Sequence, residues 1–100
     1  MSDLFTKLVE SKFNVKCVKE HKFHDMRKWR FDYAIIEYKI AIEIEKGVYT
    51  NGRHTRITGF LNDIEKYNTA TCDGWRLIRV TPEDKYSVKT FQYLEKLINA

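Results

Sequence analysis

The chain has 100 residues, 43% of them hydrophobic and 14% aromatic, a content that excludes a disordered tail and a length that builds one core rather than two. No apolar run approaches the roughly eighteen residues of a membrane span, and the first forty residues lack a signal-peptide core, so a protein that does not enter membranes is expected. Cys17 and Cys72 are too few for a disulfide scaffold or a four-cysteine zinc site, which implies free thiols in a reducing cytoplasm.

Residues 3–12 carry Leu4, Phe5, Leu8 and Val9 at the spacing of an amphipathic helix, with Ser2 or Asp3 as its cap. Residues 13–19 alternate through Phe13, Val15 and Cys17 and predict a strand. The stretch 21–28 is polar and irregular. Residues 29–46 hold the strongest β signal of the chain, in the form of a hairpin. Residues 47–59 contain three of the four glycines and predict a loop. Phe60, Ile64, Tyr67 and Thr71 recur at helical spacing over 60–71. A short strand follows over 75–80, closed by Thr81-Pro82, and 86–100 predicts a last amphipathic helix through Val88, Phe91, Leu94, Leu97 and Ile98. The order α-β-β-β-α-β-α predicts a single small α/β domain over residues 1–100, with helices packed on one sheet.

The net charge of +4 is local. Lys16, Lys19, Lys22, Arg27, Lys28 and Arg30 outweigh Glu20 and Asp25, and the rest of the chain sums to zero. A basic block among aromatics is either an electrostatic footprint for phosphate backbones or a solvated face.

The acids of the hairpin are more specific. Along 38–45, Tyr38, Ile40, Ile42 and Ile44 line one face and predict the core side. Lys39, Ala41, Glu43 and Glu45 line the other. A turn centred on Glu37-Tyr38 sets Asp32 across from Glu43 and Arg30 across from Glu45. Like charges directly opposite repel, so the acids require a cation between them. A divalent metal with carboxylate ligands is one answer. A wet sheet face neutralised by Arg30, Lys39 and Lys46 is the other.

The strings Arg30-Phe31-Asp32-Tyr33-Ala34 and Ile40-Ala41-Ile42-Glu43-Ile44-Glu45 resemble the core of the PD-(D/E)XK nuclease superfamily. Gly52-Arg53-His54-Thr55-Arg56, Asp63-Ile64-Glu65-Lys66-Tyr67-Asn68 and Gly74-Trp75-Arg76-Leu77-Ile78-Arg79 extend the similarity over roughly residues 1–82. It looks closest to small phage and bacterial endonucleases of the very-short-patch-repair and VRR type. The resemblance implies a restriction-endonuclease-like domain, an α-β-β-β-α-β core with a C-terminal helix, acting as a Mg²⁺-dependent DNA endonuclease with Mn²⁺ as a substitute. Asp32 and Glu43 would be the motif acids, with Glu45 as a further ligand or base.

Position 45 departs from the pattern, since the family usually places lysine there. Lys66 of the following helix is the candidate replacement, its alternative being an exposed pair with Asp63. An additional acid from Asp3, Glu10 or Glu20 would complete the site, and the residues do not choose among them. Lys22, Arg27, Lys28, Arg30, Lys46, Arg53, His54 and Arg56 are the expected DNA contacts. His21 and His24 have a metal-ligand spacing but sit in a segment read as strand and loop, and Trp29 and Trp75 are expected in the core. Cutting two strands needs two sites, so a homodimer is expected, its alternative being a monomer that nicks one strand; the expected location is the cytoplasm, of the host if phage-encoded. The rival reading is a nucleic-acid-binding or assembly module on a nuclease fold with a degenerate site.

Overall fold

The structure is a computed structural model describing residues 3–46 and 56–100. Asp3 accepts the Thr6 N–H at 2.9 Å and caps helix α1 (Leu4–Phe13). Phe5 and Val9 face the core, whereas Leu4 and Leu8 of the expected stripe are exposed. The helix ends at Asn14, in the left-handed region at φ 55°, which asparagine tolerates. Phe13 therefore belongs to the helix. The predicted strand over 13–19 instead runs later, as β1 (Val18–Lys22). Its ladder begins at Val18↔Ala34, and the Cys17 N–H is taken by the Glu10 carboxylate at 2.9 Å.

Strand β2 (Arg30–Ile35) pairs antiparallel with β1 and with β3 (Ile40–Ile44). The hairpin has the expected register: Ile35↔Ile40, Ala34↔Ala41, Tyr33↔Ile42. A 3₁₀ turn over Ile36–Tyr38 closes it, with Lys39 left-handed at φ 53° and its N–H donating to the Ile36 carbonyl. Helix α2 (Arg56–Cys72) then leads to β4 (Arg76–Val80), parallel to β3 from Ile40↔Arg76 to Ile44↔Val80. Gly74, at φ 91°, makes the turn between them. A 3₁₀ turn over Pro82–Asp84 precedes helix α3 (Val88–Ile98), capped by Ser87. The result is a small α/β fold with a four-stranded mixed sheet, order β1-β2-β3-β4.

Both faces of this sheet are covered. Tyr33, Ile35, Ile40, Ile42, Ile78 and Val80 pack against Phe5 and Val9 of α1 and Leu94 of α3. On the other face Phe31, Ala34 and Ala41 pack against Trp75 and Ala70 of α2. The face carrying Ala41, Glu43 and Glu45 is therefore not an open wet surface, because small alanines let α2 approach it. In β2 the alternation resets at Asp32: Phe31 meets Trp75 on the α2 face, yet Tyr33 meets Phe5 on the α1 face. The ladder position facing Asp32 is Glu20, itself left-handed at φ 53°. Among the described residues no helix is long and apolar enough to cross a membrane.

Candidate functional site

The β2/β3 backbone ladder stops at Tyr33↔Ile42, and the next residue on each strand is an acid. Side chains take over from the backbone there. The Asp32 N–H donates to Glu43 Oε2 at 2.8 Å, and the Ile44 N–H donates to Asp32 Oδ2 at 2.7 Å. Each carboxylate thus satisfies the peptide of the opposite strand. The two acids expected to face one another are brought together, but each has its own hydrogen-bond donor.

Glu43 is buried, at 6% exposure. Its Oε1 accepts from Lys66 Nζ and from the Tyr67 hydroxyl, both at 2.8 Å. With the Asp32 peptide this makes three donors on a carboxylate that can accept about four. Burial first, then the hydrogen bond to Glu43 and the charges of Glu43 and Glu45, push the Tyr67 phenol well above its ordinary range. Tyr67 therefore stays a neutral donor. Lys66 pairs with Glu43 rather than with Asp63, because α2 turns Lys66, Tyr67 and Ala70 toward the sheet. Phe60 and Ile64, which the periodicity put on the inner face together with Tyr67, are exposed.

Glu45 lies apart from this pair. Arg79 of β4 holds it with two hydrogen bonds, Nε at 3.2 Å and Nη2 at 3.1 Å, a forked geometry. That hydrogen bond, opposed by burial, raises the Arg79 guanidinium further. The expected cross-strand partner Arg30 is not used. The β2/β3 ladder has already ended at this level, while the β3/β4 ladder continues to Ile44↔Val80 and the Glu45 N–H reaches the Val80 carbonyl.

Two of the three N-terminal acids are engaged elsewhere. Asp3 accepts from Thr6 and from the Tyr33 hydroxyl on the α1 face, and Glu10 holds the Cys17 peptide. Burial works to raise the Asp3 carboxyl, but these hydrogen bonds and Lys85 outweigh it and leave it below the usual range. Glu20 is exposed at the ladder position facing Asp32. Among the described residues no three His, Cys, Asp or Glu side chains form a group placed to hold a metal ion. Of the three carboxylates expected as ligands, Asp32 and Glu43 lie together, and Glu45 is held apart by Arg79.

Part of the basic block, the loop over 23–29, sits along the same helix. The Asn62 amide oxygen accepts from Trp29 Nε1 at 3.1 Å and from Arg27 Nη2 at 3.2 Å, and Arg27 pairs with Glu65 at 2.9 Å. Four residues separate Asn62 from Lys66, about 6 Å of helix, so the loop over 23–29 and the acid pair are about one turn apart. Arg27 also lies over the Trp29 ring at 4.1 Å, and Lys22 Nζ donates to the His24 carbonyl at 2.6 Å. These two cations brace the loop. Lys28, Arg30 and Lys46 are exposed. Arg53 and His54 lie outside the described residues, and Arg56 opens α2. His24 Nδ1 accepts the Met26 and Arg27 peptides, and His21 packs on Trp75, its imidazole lowered by burial, so the two histidines are engaged separately. Both tryptophans are buried as expected.

Tyr67, Arg79 and Asn62 are the site residues that sequence reasoning missed. Tyr67 carried a signal, since it follows Lys66 directly, but its place in an apolar stripe hid it. Comparison with known proteins finds no family model, curated protein or solved structure that matches this chain.

The arrangement joins two carboxylates, one ammonium and one phenol at the carboxyl end of β3, beside a parallel strand and under a crossover helix. In open α/β sheets that end of the strands is where ligands bind.

Proposed function

We propose that the chain is a Mg²⁺-dependent DNA endonuclease on a restriction-endonuclease-like fold. The observation that carries this reading is the meeting of Asp32 and Glu43 across β2 and β3 with Lys66 of α2 at 2.8 Å from Glu43. The sequence resemblance to PD-(D/E)XK nucleases assigns chemistry to these same three residues.

The donor set fits Mg²⁺. This ion is commonly bound through one or two carboxylates, with water and substrate phosphate as the other ligands, so two acids suffice. Bound there, it would polarise a phosphate oxygen and lower the pKa of an attacking water. Asp32 and Glu43 would hold the ion, and their backbone hydrogen bonds fix both carboxylates against the sheet. Lys66 contributes positive charge for a phosphate in the transition state. Tyr67 keeps Glu43 oriented. Glu45, clamped by Arg79, serves the geometry of the β3/β4 edge rather than the ion. Lys28, Arg30 and Lys46 are suited to phosphate contacts because they are exposed on elements around the acid pair. A homodimer remains part of this proposal, since one site cuts one strand per encounter. Leu94 of α3 is buried, and Phe91, Leu97 and Ile98 pack on the core, so Val88 and Tyr93 are the large apolar side chains that helix would expose to a partner.

One observation favours a second reading. Glu43 already has three donors, one of them a buried counter-ion, which stabilise it without a metal, as a nucleic-acid-binding module with a degenerate site would require. Plasmid and branched DNA incubated with Mg²⁺, Mn²⁺ or EDTA separate the two. The nuclease reading expects metal-dependent cleavage that Asp32→Asn lowers by orders of magnitude while DNA binding in Ca²⁺ survives. Binding without cleavage under every metal condition supports the module.

A further inference from the structure

Three donors surround Glu43, and only one is charged. The Tyr67 hydroxyl and the Asp32 peptide are neutral, so the charge balance of the buried carboxylate rests on the Lys66 ammonium. Neither partner of this pair is well solvated: the side chain of Glu43 is 8% exposed and that of Lys66 11%. The neighbouring arginines are committed, Arg79 to Glu45 and Arg27 to Glu65. Lys66 thus occupies, on Oε1, the electrostatic place that a metal ion on Glu43 would take. An ammonium and a dication held by one buried carboxylate repel strongly, because little water lies between them to screen the charges.

Resting on the nuclease reading above, we propose that Lys66 is the resident cation of Glu43 and that divalent metal and this ammonium exclude one another there. Metal loading and release of Lys66 are then a single coupled event. The lysine stem is flexible and its side chain keeps 11% exposure, so the displaced ammonium can turn to the anion that accompanies the metal. Without metal, Lys66 is withheld from phosphate by its own ion pair. Tyr67, being neutral, keeps its hydrogen bond to Glu43 in both states.

The test follows the ammonium itself. In ¹⁵N NMR of the wild-type protein, the Lys66 Nζ resonance is expected to be protected from exchange without metal and to lose that protection as Mg²⁺ saturates. Calorimetry gives the second readout. Lys66→Met should bind Mg²⁺ at least about tenfold more tightly than wild type, the least that strong solvent screening leaves of such a repulsion. Tyr67→Phe removes only a neutral donor and should not tighten binding. Should Lys66→Met fail to fold without metal, the wild-type NMR titration decides alone. A Lys66 signal still protected at saturating Mg²⁺, or an unchanged Mg²⁺ affinity in Lys66→Met, overturns the coupling even if the enzyme cuts DNA. Absence of Mg²⁺ and Mn²⁺ binding to either protein overturns the metal reading and this inference with it.

Discussion

Replacing Glu43 by glutamine removes the charge that Lys66 faces and turns one of two accepting oxygens into a donor. Whichever way the amide sits, one side of it meets an N–H or O–H donor head-on: the Asp32 peptide on one side, Lys66 and Tyr67 on the other. Breaking a buried ion pair by removing one partner costs about 3–5 kcal/mol. The Lys66 side chain retains 11% exposure and can move toward water, which puts the expected loss at the lower end, about 3 kcal/mol. For a domain of this size each kcal/mol shifts Tm by about 4–8 °C, so the metal-free variant should melt about 12–24 °C lower. Urea denaturation followed by tryptophan fluorescence reads the loss directly, as a lower midpoint with unchanged slope. The double variant Glu43→Gln/Lys66→Met should recover much of the stability, since it leaves no buried charge unpaired. Simple repulsion between Asp32 and Glu43 predicts the opposite sign, a variant more stable than wild type. A Glu43→Gln protein as stable as wild type, or more so, would refute the role given to Lys66.

The ion pair next door should behave differently. Glu45→Gln breaks a pair in which Arg79 is 54% exposed, so its stability loss by the same urea assay should stay below about 1 kcal/mol. On DNA, Lys28→Ala and Arg30→Ala should each flatten the salt dependence of binding by about one unit, whereas Arg27→Ala should mainly lower stability by freeing the loop from Asn62 and Glu65. Asp3 has a folded-state pKa below its unfolded 3.8, so it stabilises the fold above that value and the contribution fades as pH falls through the lower, folded one. The stability gap between wild type and Asp3→Asn, measured by urea midpoint, should therefore be constant near neutrality and close in acid. Thiol titration at pH 8 should find Cys72 reactive in the native state and Cys17 reactive only on unfolding, because Cys17 is buried and its thiol is pushed up to about 12, chiefly by burial.

Periodicity and parity are local properties, and they made the type and order of most elements legible in the residues. The α1 and α3 helices, the two hairpin strands, their register and the convergence of Asp32 with Glu43 follow from spacing within a few residues of each other or across one tight turn, although Leu4, Leu8 and Val88 of the expected stripes are exposed. Strand β1 was displaced because alternation over 13–19 says nothing about whether a partner strand lies alongside, and the ladder begins only at Val18. The face of α2 was misjudged for a related reason. Phe60, Ile64 and Tyr67 look like an inner stripe by hydropathy, yet the surface that α2 meets is a buried glutamate ringed by aromatics, which selects Lys66 and Tyr67 instead. Which cation answers which acid was beyond local reading altogether. Glu43 and Lys66 are 23 residues apart, and Glu45 and Arg79 are 34. Both pairings exist because α2 crosses one face of the sheet and sets β4 parallel beside β3. Charge pairing at close range is decided by that arrangement of distant segments, while the acids themselves are placed by the two-residue repeat of a strand.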